Sequence, residues 1–194
     1  LEATSKTDLP VDLGIWISGD HKENHLEIQR ALKLLEQYPD NIANVIVGNE
    51  TLLRADLNEE ELFAYIDFVA EFTNKPITCA ETWDVWERIP TLANHVDFIT
   101  IHILPYWEKV PIERFNDFII EKYSVVENLF PYKKINIGET GWPSHGYNNN
   151  NAVPSLKNQA VAIRGFINLA SQKGWDYNIV EAFDQQWKGY DEGN

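Results

Sequence analysis

Short, nearly continuous apolar runs alternate with amphipathic helical stripes along the whole chain, and this alternation limits the possible fold more than any other feature. Runs rich in Val, Ile and Phe fall at residues 11–18, 45–49, 77–81, 96–103, 135–139 and 177–183. Unbroken apolar runs of this length are expected of parallel strands covered on both faces, whereas half-exposed antiparallel strands alternate. Between them, Ile28, Ala31, Leu32 and Leu35 recur at i, i+3, i+4 and i+7, as do Leu62, Tyr65, Ile66 and Val69. Phe115, Phe118 and Ile119 begin a third stripe, and Ala160, Ile163, Ile167 and Ala170 make a fourth. Residues 84–92 leave room for only a brief helix.

Boundary residues agree with these assignments. Asn24 followed by Glu27 has the form of a capping box at a helix start. Asn58 before Glu59, Glu60 and Glu61 sets negative charge at the positive end of a helix dipole. Ser155 opens the last helix and Gly174 closes it. Strand–helix alternation requires right-handed crossovers and a parallel sheet. From Val11 to Tyr177 five repeats average about 33 residues, and eight would need roughly 265, the usual size of a (β/α)8 barrel. Two architectures satisfy the pattern: a six-stranded open sheet, or a barrel with two units absent from this chain.

Charge narrows the ligands. The 194 residues carry 16 Lys+Arg against 30 Asp+Glu, a formal net charge of -14. Such a surface repels phosphate backbones and anionic lipid, so no nucleic-acid partner is expected; a neutral ligand meets no such barrier. No stretch approaches the ~20 apolar residues of a membrane span. The single cysteine, Cys79, cannot form an internal disulfide or a Cys-based zinc site. It sits within a strand, as a small buried hydrophobe would. His21 and His25 at i, i+4 lack a clear third ligand, so a solvated helix start is the expectation, with no metal and no cofactor. The chain contains no Met, so Leu1 is expected to be the start of a processed product or a fragment rather than an untouched translation start.

Chemistry concentrates where strands end. Glu50 closes Val-Ile-Val-Gly-Asn-Glu (45–50), and Glu139 lies in Ile-Asn-Ile-Gly-Glu-Thr-Gly-Trp-Pro-Ser (135–144). The carboxyl ends of parallel strands are where α/β folds build sites, because the sheet holds a side chain there rigidly. Trp83, Trp107, Trp142 and Trp187 each fall just past a strand end, with Tyr106 beside one of them. Aromatic rings suit the apolar C–H faces of pyranoses; the competing account is that they plug the packing between layers. Glu81 also ends a strand, where it would bind hydroxyls or orient a neighbour. His102 lies in a Pro-Tyr-Trp context, with a core histidine as its rival reading. Lys188, in Gln-Gln-Trp-Lys, would meet a hydroxyl or carboxylate, or simply be an exposed lysine. Trp16, Trp86 and Trp175 are expected to be structural.

These signatures together resemble glycoside hydrolase family 17, the β-1,3-glucanase family of retaining barrels, in its bacterial and fungal branch. The resemblance rests on Gly48-Asn49-Glu50 and the 137–144 segment. It extends through Gly14-Ile15-Trp16, Ala80-Glu81-Thr82-Trp83, His102-Ile103-Leu104-Pro105-Tyr106-Trp107 and Ala182-Phe183-Asp184-Gln185-Gln186-Trp187-Lys188, in order from near residue 11 to the C-terminus. It implies an α/β fold of (β/α)8 TIM-barrel type in which this chain holds six parallel strands, the family's third to eighth. Residues 1–194 would form one partial catalytic domain, and another segment or chain supplying the first two units would make the site whole.

The resemblance makes Glu50 the acid/base and Glu139 the nucleophile of a retaining hydrolysis of β-1,3-glucan. Retention needs the two carboxyl groups about 5–5.5 Å apart, and a gap above roughly 6.5 Å would admit an inverting water. Asn49 would hydrogen-bond the sugar 2-hydroxyl. Glu81, Trp83, His102, Tyr106, Trp107, Trp142, Phe183, Trp187 and Lys188 would bind substrate. Transglycosylation is the near alternative, since a sugar hydroxyl can intercept the same glycosyl-enzyme; a β-glucan-binding module without catalysis is the other. The expected partner is a β-glucan polysaccharide or oligosaccharide, and the family resemblance implies a secreted or periplasmic location.

Overall fold

The structure is a computed structural model that describes residues 1, 2, 4–7, 9–183 and 185. Among these residues six strands follow chain order in one sheet: β1 (Val11–Ile15), β2 (Ile42–Asn49), β3 (Ile77–Thr82), β4 (Ile99–His102), β5 (Ile135–Thr140) and β6 (Asp176–Ile179). The pairs β1–β2, β2–β3 and β5–β6 are parallel. Five α-helices lie between successive strands: α1 (His21–Gln37), α2 (Glu59–Ala70), α3 (Trp83–Arg88), α4 (Phe115–Leu129) and α5 (Leu156–Lys173). The strand–helix repeat expected from the apolar pattern is therefore present. The chain divides into two compact units, one of residues 1–100 with 132–134, the other of 101–131 with residues from 135 onward.

In the first unit, Val45 of β2 pairs with Leu13 of β1 and Ile77 of β3. Val45, Val47 and Cys79 have no exposed surface, and all of β3 except its last residue is buried. Strands covered on both faces leave no position for polar alternation, which explains the unbroken apolar runs. Leu62, Ile66 and Val69 turn one face of α2 into this core, each fully buried. Complete burial stabilises each such side chain by about 1.5–3 kcal/mol. The α2 capping box is complete: Asn58 accepts the Glu61 amide, and the Glu61 carboxylate accepts the Asn58 amide.

The start of α1 differs from the expectation. Asp20, not Asn24, is its N-cap, accepting the amides of Lys22 and Glu23. Asn24 lies a turn inside, 1% exposed, and satisfies both backbone polar groups of Ser18: its oxygen accepts the Ser18 amide at 2.9 Å and its amide donates to the Ser18 carbonyl at 2.7 Å. A buried backbone needing both partners explains an Asn there better than a cap does.

In the second unit, Ile137 of β5 pairs with Tyr177 of β6. Helix α4 buries Phe115, Ile119, Tyr123 and Val126, and α5 buries Ala162, Phe166 and Ala170. The α5 stripe is rotated from the one expected, leaving Ile167 40% exposed. Phe166 wins the core because the larger ring meets Tyr177 edge-on at 4.9 Å. Ser155 caps α5 by accepting the Asn158 amide, and Gly174 ends it in the left-handed region at φ 68°.

Candidate active site

In the first unit the site segment begins where β2 stops. Gly48 has φ 83°, and a Cβ there would stand 2.8 Å from the Thr51 hydroxyl and 3.2 Å from Leu62, so both conformation and space require glycine. Two residues on, Glu50 is itself left-handed at φ 53°, with its amide donating to the Ala80 carbonyl at 2.8 Å. The chain then turns, the Arg54 amide reaching back to the Glu50 carbonyl at 2.9 Å. Asn49 and Glu50 are both half-buried.

Glu81, at the end of β3, has no exposed surface. Its carboxylate accepts the amides of Leu52 at 2.7 Å and Leu53 at 3.3 Å, so it fixes the backbone just beyond Glu50. Thr51 donates to the Ile17 carbonyl at 3.1 Å, fastening the same turn to the segment after β1. Cys79 lies beneath, fully buried, and burial followed by the Glu81 charge pushes its thiol well above the usual range; it is a packing residue. Trp83 opens α3 half-buried, while Trp86 is fully buried and donates its indole N–H to the Thr100 carbonyl at 2.9 Å.

In the second unit Glu139 is the next-to-last residue of β5, its side chain 33% exposed. His102, which ends β4 and is buried, places Nε2 3.9 Å from the Glu139 Oε1. The backbone between these strand ends is also joined, the Ile103 amide donating to the Glu139 carbonyl at 3.0 Å. Glu139 thus has rigid support and solvent access together.

The aromatic residues divide. Trp107 is 46% exposed and packs edge-on against Tyr106, which leaves ring surface for a ligand. Trp142 and Tyr106 are 2% and 3% exposed. The Trp142 ring is wedged edge-on between Tyr106 and Phe115, and its indole N–H donates to the Val153 carbonyl at 3.1 Å. The Tyr106 hydroxyl donates to the Tyr147 carbonyl at 2.7 Å, and burial followed by Tyr147 raises its pKa. Both rings are packed within the second unit with their polar tips bonded, since large aromatics with one polar tip bury well once that tip is bonded. Phe183 is 80% exposed. Trp187 and Lys188 lie outside the described residues.

Sequence reasoning missed three features. The Asn-rich 148–151 segment is tied down: the Asn149 side chain donates to the Tyr106 carbonyl at 2.9 Å, and Asn149 and Ala152 form a two-way backbone bridge. Trp16, expected to be structural, is 53% exposed with the Arg54 guanidinium 4.5 Å from its ring centre. Arg54 belongs to none of the sequence signatures, although its position four residues after Glu50 is a usable signal. His21, at the start of α1, bonds the Tyr65 hydroxyl at 2.8 Å, and no cluster of three or more potential metal ligands occurs among the described residues. No helix among them is long and apolar enough to cross a membrane.

The geometry stands beside close relatives. A Schizosaccharomyces pombe protein named glucan 1,3-β-glucosidase is 28% identical over 202 residues, covering 96% of this chain and 63% of its own. The btgC protein of Aspergillus fumigatus, named a probable glucan endo-1,3-β-glucosidase, is 27% identical over 206 residues, covering 93% of this chain and 30% of its own. The chain therefore spans less than two thirds of these relatives. Among solved structures, an active-site mutant of Rhizomucor miehei β-1,3-glucanosyltransferase in complex with laminaritriose superimposes with a TM-score of 0.88 at 27% identity, over 97% of this chain and 71% of that one. An endo-laminarinase from Formosa shares the fold, with a TM-score of 0.85 at 18% identity, over 96% of this chain and 65% of that one. The fold is α/β, of TIM-barrel type. The family model describing the BtgE/BtgC glycoside hydrolase domain matches residues 1–194, and the chain belongs to that family.

Proposed function

We propose that this chain carries the catalytic part of a retaining β-1,3-glucan-active enzyme of glycoside hydrolase family 17, with Glu139 as nucleophile and Glu50 as acid/base. On this reading β1 to β6 are the third to eighth strands of the family barrel. The observation that carries it is the placement of two half-buried glutamates at the carboxyl ends of parallel strands, each held by its own scaffold. The chemistry follows from charge. Glu50 protonates the glycosidic oxygen as Glu139 attacks the anomeric carbon; the C–O bond breaks and an ester to Glu139 forms. Glu50, now ionised, takes a proton from the incoming acceptor, whose oxygen displaces Glu139. Asn49, adjacent to Glu50, would bond the 2-hydroxyl, and the exposed ring of Trp107 would stack on a pyranose.

A water acceptor gives hydrolysis and a sugar hydroxyl gives transfer. The 27% identity to a glucanosyltransferase over 97% of the chain favours transfer as the second reading. Both are tested by incubating the chain with laminari-oligosaccharides and following anomeric configuration by NMR and chain lengths by chromatography. Initial products of β configuration that disappear in Glu139→Gln support the reading. Initial α products, or undiminished turnover by Glu139→Gln, refute it, and oligosaccharide binding without turnover leaves a glucan-binding module. Products longer than the substrate identify transfer.

A further inference from the structure

We infer that Arg54 is a positioning residue for the acid/base, a role that rests on the reading of Glu50 given above. The peptide plane joining Asn49 to Glu50 has two polar atoms, and both are held. The Glu50 amide donates to Ala80, and the Asn49 carbonyl accepts from Arg54 Nη1. A plane pinned at both ends cannot rotate, so the direction in which the Glu50 side chain leaves the backbone is set. That matters because Glu50 is left-handed, a conformation that is strained for a residue with a Cβ and persists only when its surroundings impose it.

Arg54 is held in turn on every side. Its Nε and Nη2 meet Asp56 Oδ2 at 2.9 and 2.7 Å, Nη2 reaches the Ile17 carbonyl at 3.5 Å, and the guanidinium lies against the Trp16 ring. One planar group thus links the ends of β1 and β2 to the acid/base turn. A lysine ammonium has the charge but neither the fork nor the flat face, so it cannot serve these partners together. Trp16 acquires a purpose here: it is the seat that orients the guanidinium, which accounts for a tryptophan left half in solvent.

The test compares Arg54→Lys and Arg54→Ala with the wild-type chain, each first shown to fold by its urea-unfolding midpoint. Amide hydrogen exchange is followed residue by residue, and kcat and KM are measured on laminari-oligosaccharides and on aryl β-glucosides of graded leaving-group acidity. The expected result in Arg54→Lys is exchange at Glu50 faster by about tenfold or more with Val45 unchanged. In parallel, kcat should fall by about 100-fold on oligosaccharides at little change in KM. The loss should shrink as the leaving group improves, because a good leaving group needs little protonation. Wild-type exchange at Glu50, or a loss equal for all leaving groups, overturns the role. A purely structural arginine would raise exchange evenly through β2, which also overturns it. If the wild-type chain turns over no glucan while Arg54→Lys selectively frees the Glu50 amide, the enzymatic reading fails and the anchoring of the turn stands.

Discussion

His102 faces Glu139 with its imidazole Nε2 3.9 Å from the carboxylate Oε1, the histidine buried and the glutamate a third exposed. A buried ring beside a half-exposed carboxylate restricts the rotamers that the carboxylate can adopt. Removing the ring frees them, and an attacking oxygen displaced by about 1 Å can lose about 100-fold in rate. His102→Ala should therefore lower kcat by roughly ten- to 100-fold, with KM much less affected, while His102→Gln, which keeps bulk and a donor, should recover part of the loss. Steady-state kinetics on laminari-oligosaccharides checks this. Equal kcat values for wild type and His102→Ala would remove His102 from the account of the site.

Glu81 acts through the backbone. Its carboxylate accepts two consecutive amides, Leu52 and Leu53, directly after Glu50. A glutamine there keeps one accepting oxygen and turns an NH2 group toward an amide that needs an acceptor. Hydrogen bonds to a charged group contribute about 1.5–3 kcal/mol each, so Glu81→Gln should reduce unfolding free energy by about 2 kcal/mol. Turnover should fall alongside, since the turn presenting Glu50 loosens. Urea titration and kinetics on the same preparation measure both, and unchanged stability would show that these amides do not depend on the charge.

The sequence made some of this legible and hid the rest for identifiable reasons. Parallel strands buried on both faces are rich in apolar residues rather than alternating, so β2, β3 and β5 stood out, and a glutamate ending such a run was conspicuous. Asn58 and Gly174 were readable because caps act within one turn. The burial of Trp142 was not legible because proximity to a strand end does not say which way a ring points: its indole N–H donates to the Val153 carbonyl, 11 residues away. Arg54 was invisible for a similar reason, since its partners Ile17 and Trp16 are about 37 residues distant in sequence and meet it only once β1 and β2 pair. Phe166 displaced its neighbours from the α5 stripe by size, which periodicity alone does not weigh.

Two glycines should prove irreplaceable to different degrees. At Gly48 a methyl group meets the Thr51 hydroxyl at 2.8 Å and is strained by φ 83°. Thr51 is a small side chain able to give a little, so Gly48→Ala should cost about 2 kcal/mol. At Gly141 the methyl would stand 2.1 Å from the Val180 carbonyl oxygen, which is backbone and has no rotamer to change. Gly141→Ala should therefore be the more damaging, costing about 3 kcal/mol or more, or preventing folding altogether. Denaturant midpoints of the two variants rank them, and the reverse order would contradict the packing described.

Alkaline pH should expose one further buried group. Tyr123, in α4, stacks on Trp175 with ring centres 4.1 Å apart, and its hydroxyl is pushed up to about 12, by burial first and then by the charges of Glu127 and Asp176. Because the folded protein holds this proton more tightly than the unfolded chain, whose tyrosines titrate near 10, the group's contribution to stability is whole below about pH 10. As pH rises from about 10 toward 12 the unfolded state loses its proton first, so stability falls across that interval. Tyr123→Phe keeps the ring stack and deletes the titration. Its urea midpoint should track the wild type up to about pH 9.5 and then decline less steeply, and parallel curves through pH 11 would mean that the Tyr123 hydroxyl ionises as readily in the folded protein as in the unfolded chain.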